Sequence, residues 1–379
     1  MNFAFNEQQN AIRDAVARFS ADVLAPGYRD RDRSGLIERE TIVQLGEMGL
    51  LGGELPEEFG GSGLDCVTAG IIIEEISRGD FNVGYIPLLA SLNGQIIASH
   101  ASSELAREWL SEITAGRKVV CIALTEPSGG SDAASLRLKA ERKGDSYVLN
   151  GEKTSISMAD QADVAVVFAR TGTQESRANG ISAFLVPMNL PGISTTRFED
   201  NGQRCIGRGS IFFDNVEVPA SHRLGEEGKG FKQVMQGFDY SRALIGLQCL
   251  AVAQQSLDET WKWLTERQAF GQPLAAFQGL THPLAEYQTY VQAARLQCYY
   301  ALWLKDNGQP HNAEAAMNKW WGPKLAFDVV KQCMLAHGHT GWGEDLPFSQ
   351  RLRDVLGLQI GDGTAQIMKN IIAREYIPR

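Results

Sequence analysis

The chain of 379 residues contains no C-x-x-C pair and no H-E-x-x-H spacing. Its six cysteines, at 66, 121, 205, 249, 298 and 333, are too scattered for a disulfide framework or a zinc site, and they read as small buried hydrophobes. The six histidines show no metal-ligand spacing, although His337 and His339 flank Gly338, so no metal is expected. No stretch approaches the roughly 18–20 apolar residues that cross a bilayer, which argues against membrane association. The polar start MNFAFNEQQNAIRD lacks the basic head and apolar run of a signal peptide, so the cytoplasm is the expected address. Lys/Arg-rich blocks are missing and the net charge is −9, which leaves no basic stripe for nucleic acid. No G-x-G-x-x-G follows a strand, and P-loop and nucleophile elbow are absent. These absences count against NAD-dehydrogenase, kinase and hydrolase chemistry. There is no tandem repeat and no low-complexity segment.

What the chain does have is 44% apolar residues, enough for a large core in two or three domains or one composite unit. Its texture changes twice. Over 1–120, Ile12, Ala15, Val16, Phe19, Val23 and Leu24 recur at helix spacing, and further helices are predicted over Glu40–Leu50, Thr68–Ser77 and Ser103–Ile113. Over 121–228, short β-branched or aromatic runs at Tyr147–Leu149, Val164–Ala169, Ser182–Val186 and Ile211–Phe213 are separated by Gly, Asn, Asp and Pro. No long helix intervenes, so a half-buried sheet or small barrel is expected there rather than βαβ units. Over 229–379, long helical periodicity returns in four segments, which suggests a four-helix bundle. The expected class is therefore α+β and multi-domain: an N-terminal α-helical domain, a middle β domain and a C-terminal bundle.

Four strings carry chemical information. Leu124-Thr-Glu-Pro-Ser-Gly-Gly-Ser-Asp132 has glycines and hydroxyls that let backbone N–H groups approach an anionic or electron-rich ligand, yet alone it is an ordinary turn. Asn150-Gly-Glu-Lys-Thr-Ser-Ile-Ser157 alone is a polar β-turn. Glu266-Arg-Gln-Ala-Phe-Gly-Gln-Pro-Leu274, followed by Phe277-Gln278, reads as a helix end with a Gly stop and a Pro after it. Gln359-Ile-Gly-Asp-Gly-Thr-Ala-Gln-Ile367 places Asp362 between glycines, where Asp is usually a turn former or helix cap.

Taken together, the strings resemble those of the acyl-CoA dehydrogenases: L-T-E-P-x-x-G-S-D, N-G-x-K-x-W-I-T, E-R-x-x-F-G-x-P-[IL]…F-Q and Q-I-Y-E-G-T-x-[EQ]-I. Leu224-Gly-Glu-Glu-Gly-Lys-Gly-Phe231 looks like the family's L-G-x-x-G-x-G-F. Phe238-Asp-Tyr-Ser-Arg242 matches D-x-x-R, and Leu335-Ala-His-Gly-His339 falls at Q-I-x-G-G, so the likeness covers nearly the whole chain. The resemblance implies FAD as cofactor, met by Ile122, Leu124, Thr125, Ser131, Ser155, Ile156, Ser157, Thr364 and Gln366. It implies contacts of Arg267, Phe270 and Gln278 with the FAD of a neighbouring subunit in a homo-oligomer, by analogy a tetramer. Arg267 suits a pyrophosphate because its planar fork bonds bidentately. Leu335, His337, Gly338 and His339 fall near the FAD adenosine half. Ser131, Phe238, Asp239, Arg242 and Gly363 are implied to bind the acyl-CoA, and an electron-transfer flavoprotein is implied as acceptor. The chain departs from the family pattern at Ser155 (Trp), Ser157 (Thr), Gly361 (Tyr), Leu335 and His339.

The family's catalytic Glu is replaced by Asp362. By resemblance it abstracts the proton α to the thioester while hydride leaves the β-carbon for flavin N5. Such a base must be desolvated and close, and the nascent enolate needs hydrogen bonds at its oxygen, which Gly363 with Asp362 could supply in part. A few relatives carry the base in the segment matching Asp239–Arg242; Ser241 stands there and cannot serve. Aspartate is shorter by roughly 1.5 Å, about one C–C bond, so an α-branched substrate is expected, with Gly361 making further room. The wording of the chain looks most like members acting on alicyclic acyl-CoAs, with cyclohexane-1-carboxyl-CoA going to cyclohex-1-ene-1-carboxyl-CoA. The alternatives are a nitroalkane oxidase-like flavin oxidase, a cyclohex-1-ene-carboxyl-CoA 1,4-dehydrogenase, a short- or branched-chain acyl-CoA dehydrogenase and a catalytically silent assembly subunit.

Overall fold

The computed structural model describes residues 3–378; Met1, Asn2 and Arg379, at the ends of the first and third expected domains, lie outside it. Helix α1 (Glu7–Phe19) opens on a capping box in which Asn6 and Gln9 satisfy each other's backbone N–H groups. It continues through a π-helical turn at Ser20–Leu24 into α2 (Ala25–Ser34), which Gly35 ends in the left-handed conformation. Then follow α3 (Arg39–Glu47), α4 (Cys66–Gly79), α5 (Tyr85–His100) and α6 (Ser103–Thr114). Of these, α5 escapes a periodicity reading. Tyr85 to Gly94 are buried on every side, so the helix carries no polar stripe against which to see a 3.6-residue repeat.

Eight strands follow: β1 (Val120–Ala123), β2 (Lys139–Lys143), β3 (Ser146–Ile156), β4 (Val164–Arg170), β5 (Ile181–Pro187), β6 (Ile193–Arg197), β7 (Gly209–Pro219) and β8 (Arg223–Leu224). They form one sheet in the order β6-β7-β3-β2-β4-β5-β8, with β1 parallel to β4. The four runs read from the sequence fall within β3, β4, β5 and β7. The charged KAERK of β2 and the short β1, β6 and β8 carried too little alternation to show. β4 is buried along its whole length, which explains its unbroken apolar run.

The last part begins with α7 (Gly230–Glu266), followed by the short hairpin β9 (Gln268–Ala269) and β10 (Gln272–Pro273). Then come α8 (Gln278–Asp306), α9 (Asn312–Ala336), α10 (His339–Trp342), α11 (Phe348–Gly357) and α12 (Ala365–Tyr376). α7, α8 and α9 pack on one another and α12 lies on α9, so the four long segments form the bundle; α10 and α11 are additions the sequence reading lacked. All six cysteines are buried and free. Among the described residues no helix is long and apolar enough to cross a membrane.

The three parts meet at Asp354 of α11, which is fully buried. Its carboxylate accepts from Tyr28 Oη at 2.6 Å and Asn82 Nδ2 at 3.0 Å in the helical part, and from the Gln203 N–H at 2.5 Å in the sheet part. Close fit reinforces this seam, because a Cβ on Gly202 would lie 2.4 Å from the Arg353 carbonyl.

Candidate active site

The chain between α11 and α12 turns sharply, and two consecutive residues have positive φ: Asp362 at +60° and Gly363 at +100°. Asp is among the side chains that tolerate the left-handed region best. At 363 the φ of +100° would strain any side chain, which favours glycine, and a Cβ there would also press on Met368 Cε at 2.5 Å. Thr364 caps α12 by accepting from the Ile367 N–H. The turn carries the half-buried Asp362 to α7, where Ser241 Oγ donates to Asp362 Oδ2 at 3.1 Å. Asp362 of the turn and Ser241 of α7 thus meet in one hydrogen bond.

Around that carboxylate stand Arg242 and Asp239 from α7 and Lys319 from α9. Arg242 pairs with Asp239 at 2.9 Å and lies 5.6 Å from the Phe238 ring centre, while Asn312 holds the other Asp239 oxygen at 2.7 Å. Arg242 Nε is buried with no protein partner, a donor left over for a ligand. Lys319, 1% exposed, donates to the Leu358 carbonyl at 2.7 Å and to the Gly363 carbonyl at 2.9 Å. Burial raises the Asp362 pKa above the usual carboxylate range, against the pull of Arg242, Lys319 and the Ser241 bond; Asp239 adds to the rise. Burial lowers Lys319 to about 8, with Asp362 opposing.

A second group forms where the Leu124 and Asn150 strings run side by side. The Thr154 N–H donates to the Thr125 carbonyl at 2.8 Å, and Lys153 Nζ reaches the Leu124 carbonyl at 3.0 Å and Glu126 Oε1 at 2.8 Å. Glu126 also accepts from the Arg137 and Leu138 N–H groups, so every charge in this buried pair is bonded. Burial lowers Lys153 to about 8, partly restored by Glu126. The pinned strings present Thr125 and Ser157 half-buried and Ser131 and Ser155 exposed, with Leu124 and Ile156 buried beneath and Ile122 half-buried. Ser155 in β3 adopts a φ of +57°, and Gly129 in the Leu124–Asp132 loop, at +151°, has open space where a Cβ would be. An apolar floor edged by hydroxyls fits a flat ring system with polar edges. The roles of Glu126 and Lys153 were missed from sequence, because charged residues in polar strings look solvated.

A third group lies at the bundle surface. Arg267, Phe270 and Gln278 are exposed, and Arg267 Cζ sits 5.9 Å from the Trp263 ring. Phe270 is 93% exposed at a φ of +53°, at the tip of the β9–β10 hairpin and 6.0 Å from Phe277. Leu335, Gly338 and His339 are exposed at the α9–α10 junction, and Gln366 is exposed on α12. His337 points inward instead. Its Nδ1 lies 2.8 Å from the Cys333 carbonyl and its ring stacks on Trp263, so it joins the two exposed groups from beneath.

Three family models match the chain: the acyl-CoA dehydrogenase N-terminal domain over residues 6–117, the middle domain over 121–216 and the C-terminal domain over 228–377. The chain is 37% identical to the short-chain specific acyl-CoA dehydrogenase, mitochondrial, of Rattus norvegicus, with 97% of this chain and 89% of the relative covered. It is 33% identical to the (2S)-methylsuccinyl-CoA dehydrogenase of Cereibacter sphaeroides, covering 98% and 70%. Among solved structures, butyryl-CoA dehydrogenase from Megasphaera elsdenii matches with a TM-score of 0.95 at 29% identity, covering 99% of each chain. A chain from a structural study of the electron transferring flavoprotein of Acidaminococcus fermentans matches with a TM-score of 0.97 at 33% identity, covering 100% of each. The fold and the assembled strings define an FAD-dependent oxidoreductase acting on acyl-CoA. The chain belongs to the acyl-CoA dehydrogenase family.

Proposed function

We propose that this enzyme oxidises an α-branched or alicyclic acyl-CoA, of the cyclohexane-1-carboxyl-CoA kind, with Asp362 as the base. The observation that carries the reading is the half-buried Asp362 carboxylate, held by Ser241 at 3.1 Å and raised in proton affinity by burial. Ser241 engages Oδ2 and leaves Oδ1 to take the α-proton. The Gly363 N–H, next to the base, donates to the thioester oxygen as negative charge grows there. Phe238, Asp239 and Arg242 hold the CoA portion, with the spare Arg242 Nε as a donor. Ile122, Leu124, Thr125, Ser131, Ser155, Ile156, Ser157, Thr364 and Gln366 hold the FAD, and Ser131 serves the substrate as well. Bound FAD supplies the acceptor for the β-hydride.

Branching follows from reach. A base drawn back by roughly one C–C bond, about 1.5 Å, demands a substrate whose Cα–H comes to it. Gly361 has only one backbone atom near the place of its missing Cβ, which leaves room for bulk. The similarity to a (2S)-methylsuccinyl-CoA dehydrogenase, named for a substrate branched at carbon 2, supports this. The short-chain relatives favour a linear chain as the second reading.

Arg267, Phe270 and Gln278 complete the FAD site of a neighbouring copy in a homo-oligomer, taken as a tetramer; Leu335, His337, Gly338 and His339 lie near the FAD adenosine half, where His337 stiffens the surface through Trp263. An electron-transfer flavoprotein takes the electrons, a reading supported by the match to a chain studied with such a protein. The test compares wild type and Asp362→Glu on cyclohexanecarboxyl-CoA and butyryl-CoA. Wild type should prefer the ring, and the Glu variant should shift toward butyryl-CoA. A wild type that already prefers butyryl-CoA would make the branched reading wrong.

A further inference from the structure

The mechanism above assigns nothing to Lys319, although it is the cation most deeply enclosed near the base. Its ammonium carries three N–H donors, and two are spent on backbone carbonyls at either end of the base turn: Leu358 before it and Gly363 after it. Between those carbonyls run the residues that place Asp362 in its left-handed conformation. A turn containing three glycine or left-handed positions, 361 to 363, has little intrinsic stiffness. Left to itself it would sample many orientations of the carboxylate and of the Gly363 N–H. A buried ammonium is costly unless paired and bonded, so its presence here at 1% exposure calls for a role that an apolar residue could not fill.

We infer that Lys319 is the positioning residue of the reaction: it staples the Leu358–Gly363 turn, thereby aiming the Asp362 carboxylate and the Gly363 N–H, and its positive charge favours the carboxylate form of the base. The inference rests on the reading of Asp362 as base. Asp362 is faced by Ser241, Arg242 and Asp239 from α7 and by Lys319 from α9; Arg242, paired with Asp239 at 2.9 Å, exerts the larger pull on the carboxylate, and Lys319 adds a second cation that also holds the turn itself. Lys319 is faced by Asp362, Arg242 and the buried Cys249 thiol of α7. The attraction between Lys319 and Asp362 acts on both groups, favouring the ammonium and the carboxylate together. Because the Gly363 carbonyl and N–H belong to adjacent peptide units, fixing the one restrains the other.

The experiment uses the FAD-loaded enzyme with butyryl-CoA and with cyclohexanecarboxyl-CoA, reading flavin bleaching and, separately, exchange of the α-proton with deuterated water. Lys319→Met should lower kcat about 10²-fold, the cost typical of a small misplacement, with KM little changed. It should also move the acid limb of the kcat/KM profile to higher pH. Lys319→Arg, which keeps charge and donors, should restore the limb and part of the rate. Should Lys319→Met fail to retain FAD, Lys319→Gln carries the test: it keeps a donor for the carbonyls and removes the charge, so the limb should still move. A purely structural lysine would lower thermal stability and leave the limb in place, and that result overturns the inference. Asp362→Asn separates the two claims: if it stays fully active, the base reading fails. If it is inactive while the limb of both neutral Lys319 variants stays put, only the positioning role fails.

Discussion

Asp362 combines two properties that pull the residue choice in one direction. Its backbone is left-handed, a region in which Asp is several-fold enriched over most side chains. Its carboxylate is short, which suits a reacting carbon brought close. Desolvation raises its proton affinity, so the proposed base takes up its proton at a higher pH than an ordinary aspartate does. The sign follows directly: protonated Asp362 cannot accept a proton, and activity is lost as pH falls through its raised pKa. Asp362→Asn should lower the rate of flavin bleaching by about 10²–10⁴-fold, the usual contribution of a general base, and abolish that acid limb; stopped-flow bleaching against pH checks both. The residue was legible in sequence because its neighbours fixed the register. Lys319 was not, since a lysine between helical residues gives no sign of being buried when charged side chains are mostly exposed.

Among the elements, β3 and the loop beside it are joined by Glu126 and Lys153. Both residues lie inside strings that were read as motifs, yet neither suggested an ion pair, because pairing across 27 positions is a property of the register of β3 against the loop. Lys153→Met leaves Glu126 buried and uncompensated and should cost about 3–5 kcal/mol, with FAD lost more readily; thermal unfolding and flavin content check it. Replacing both residues by apolar ones should recover part of the loss. Legibility across elements tracked amphipathicity. α1 and α6 show one apolar face, and β4 shows an apolar run with turn signals. α5 is enclosed all round and β2 is nearly all charge, so neither presents a pattern to read.

For the whole molecule, the Asp354 seam ties both ends of the chain to its middle. Burial pushes this carboxyl up to about 7, against its bonds from Tyr28 and Gln203. A carboxyl with a raised pKa binds its proton more tightly when folded. Its contribution is therefore full below the ordinary range near 4 and is lost as pH climbs through about 7. Asp354→Asn should destabilise the protein by about 1–3 kcal/mol, since an amide offers one oxygen where two accept bonds, and should flatten stability between neutral and mildly acid pH. Chemical unfolding at several pH values reads both effects. The 93% exposed Phe270, at a φ of +53°, would be covered in the proposed homo-oligomer.

The most direct measurement is anaerobic flavin bleaching of the FAD-loaded enzyme across linear, branched and cyclic acyl-CoAs, with Asp362→Asn alongside. An α-branched or cyclic thioester should bleach the wild-type flavin about tenfold faster than butyryl-CoA, a difference of about 1.4 kcal/mol in barrier, and the Asn variant should bleach about 10²–10⁴-fold more slowly than wild type with each. Faster bleaching by butyryl-CoA, or full activity without the carboxylate, would contradict the account.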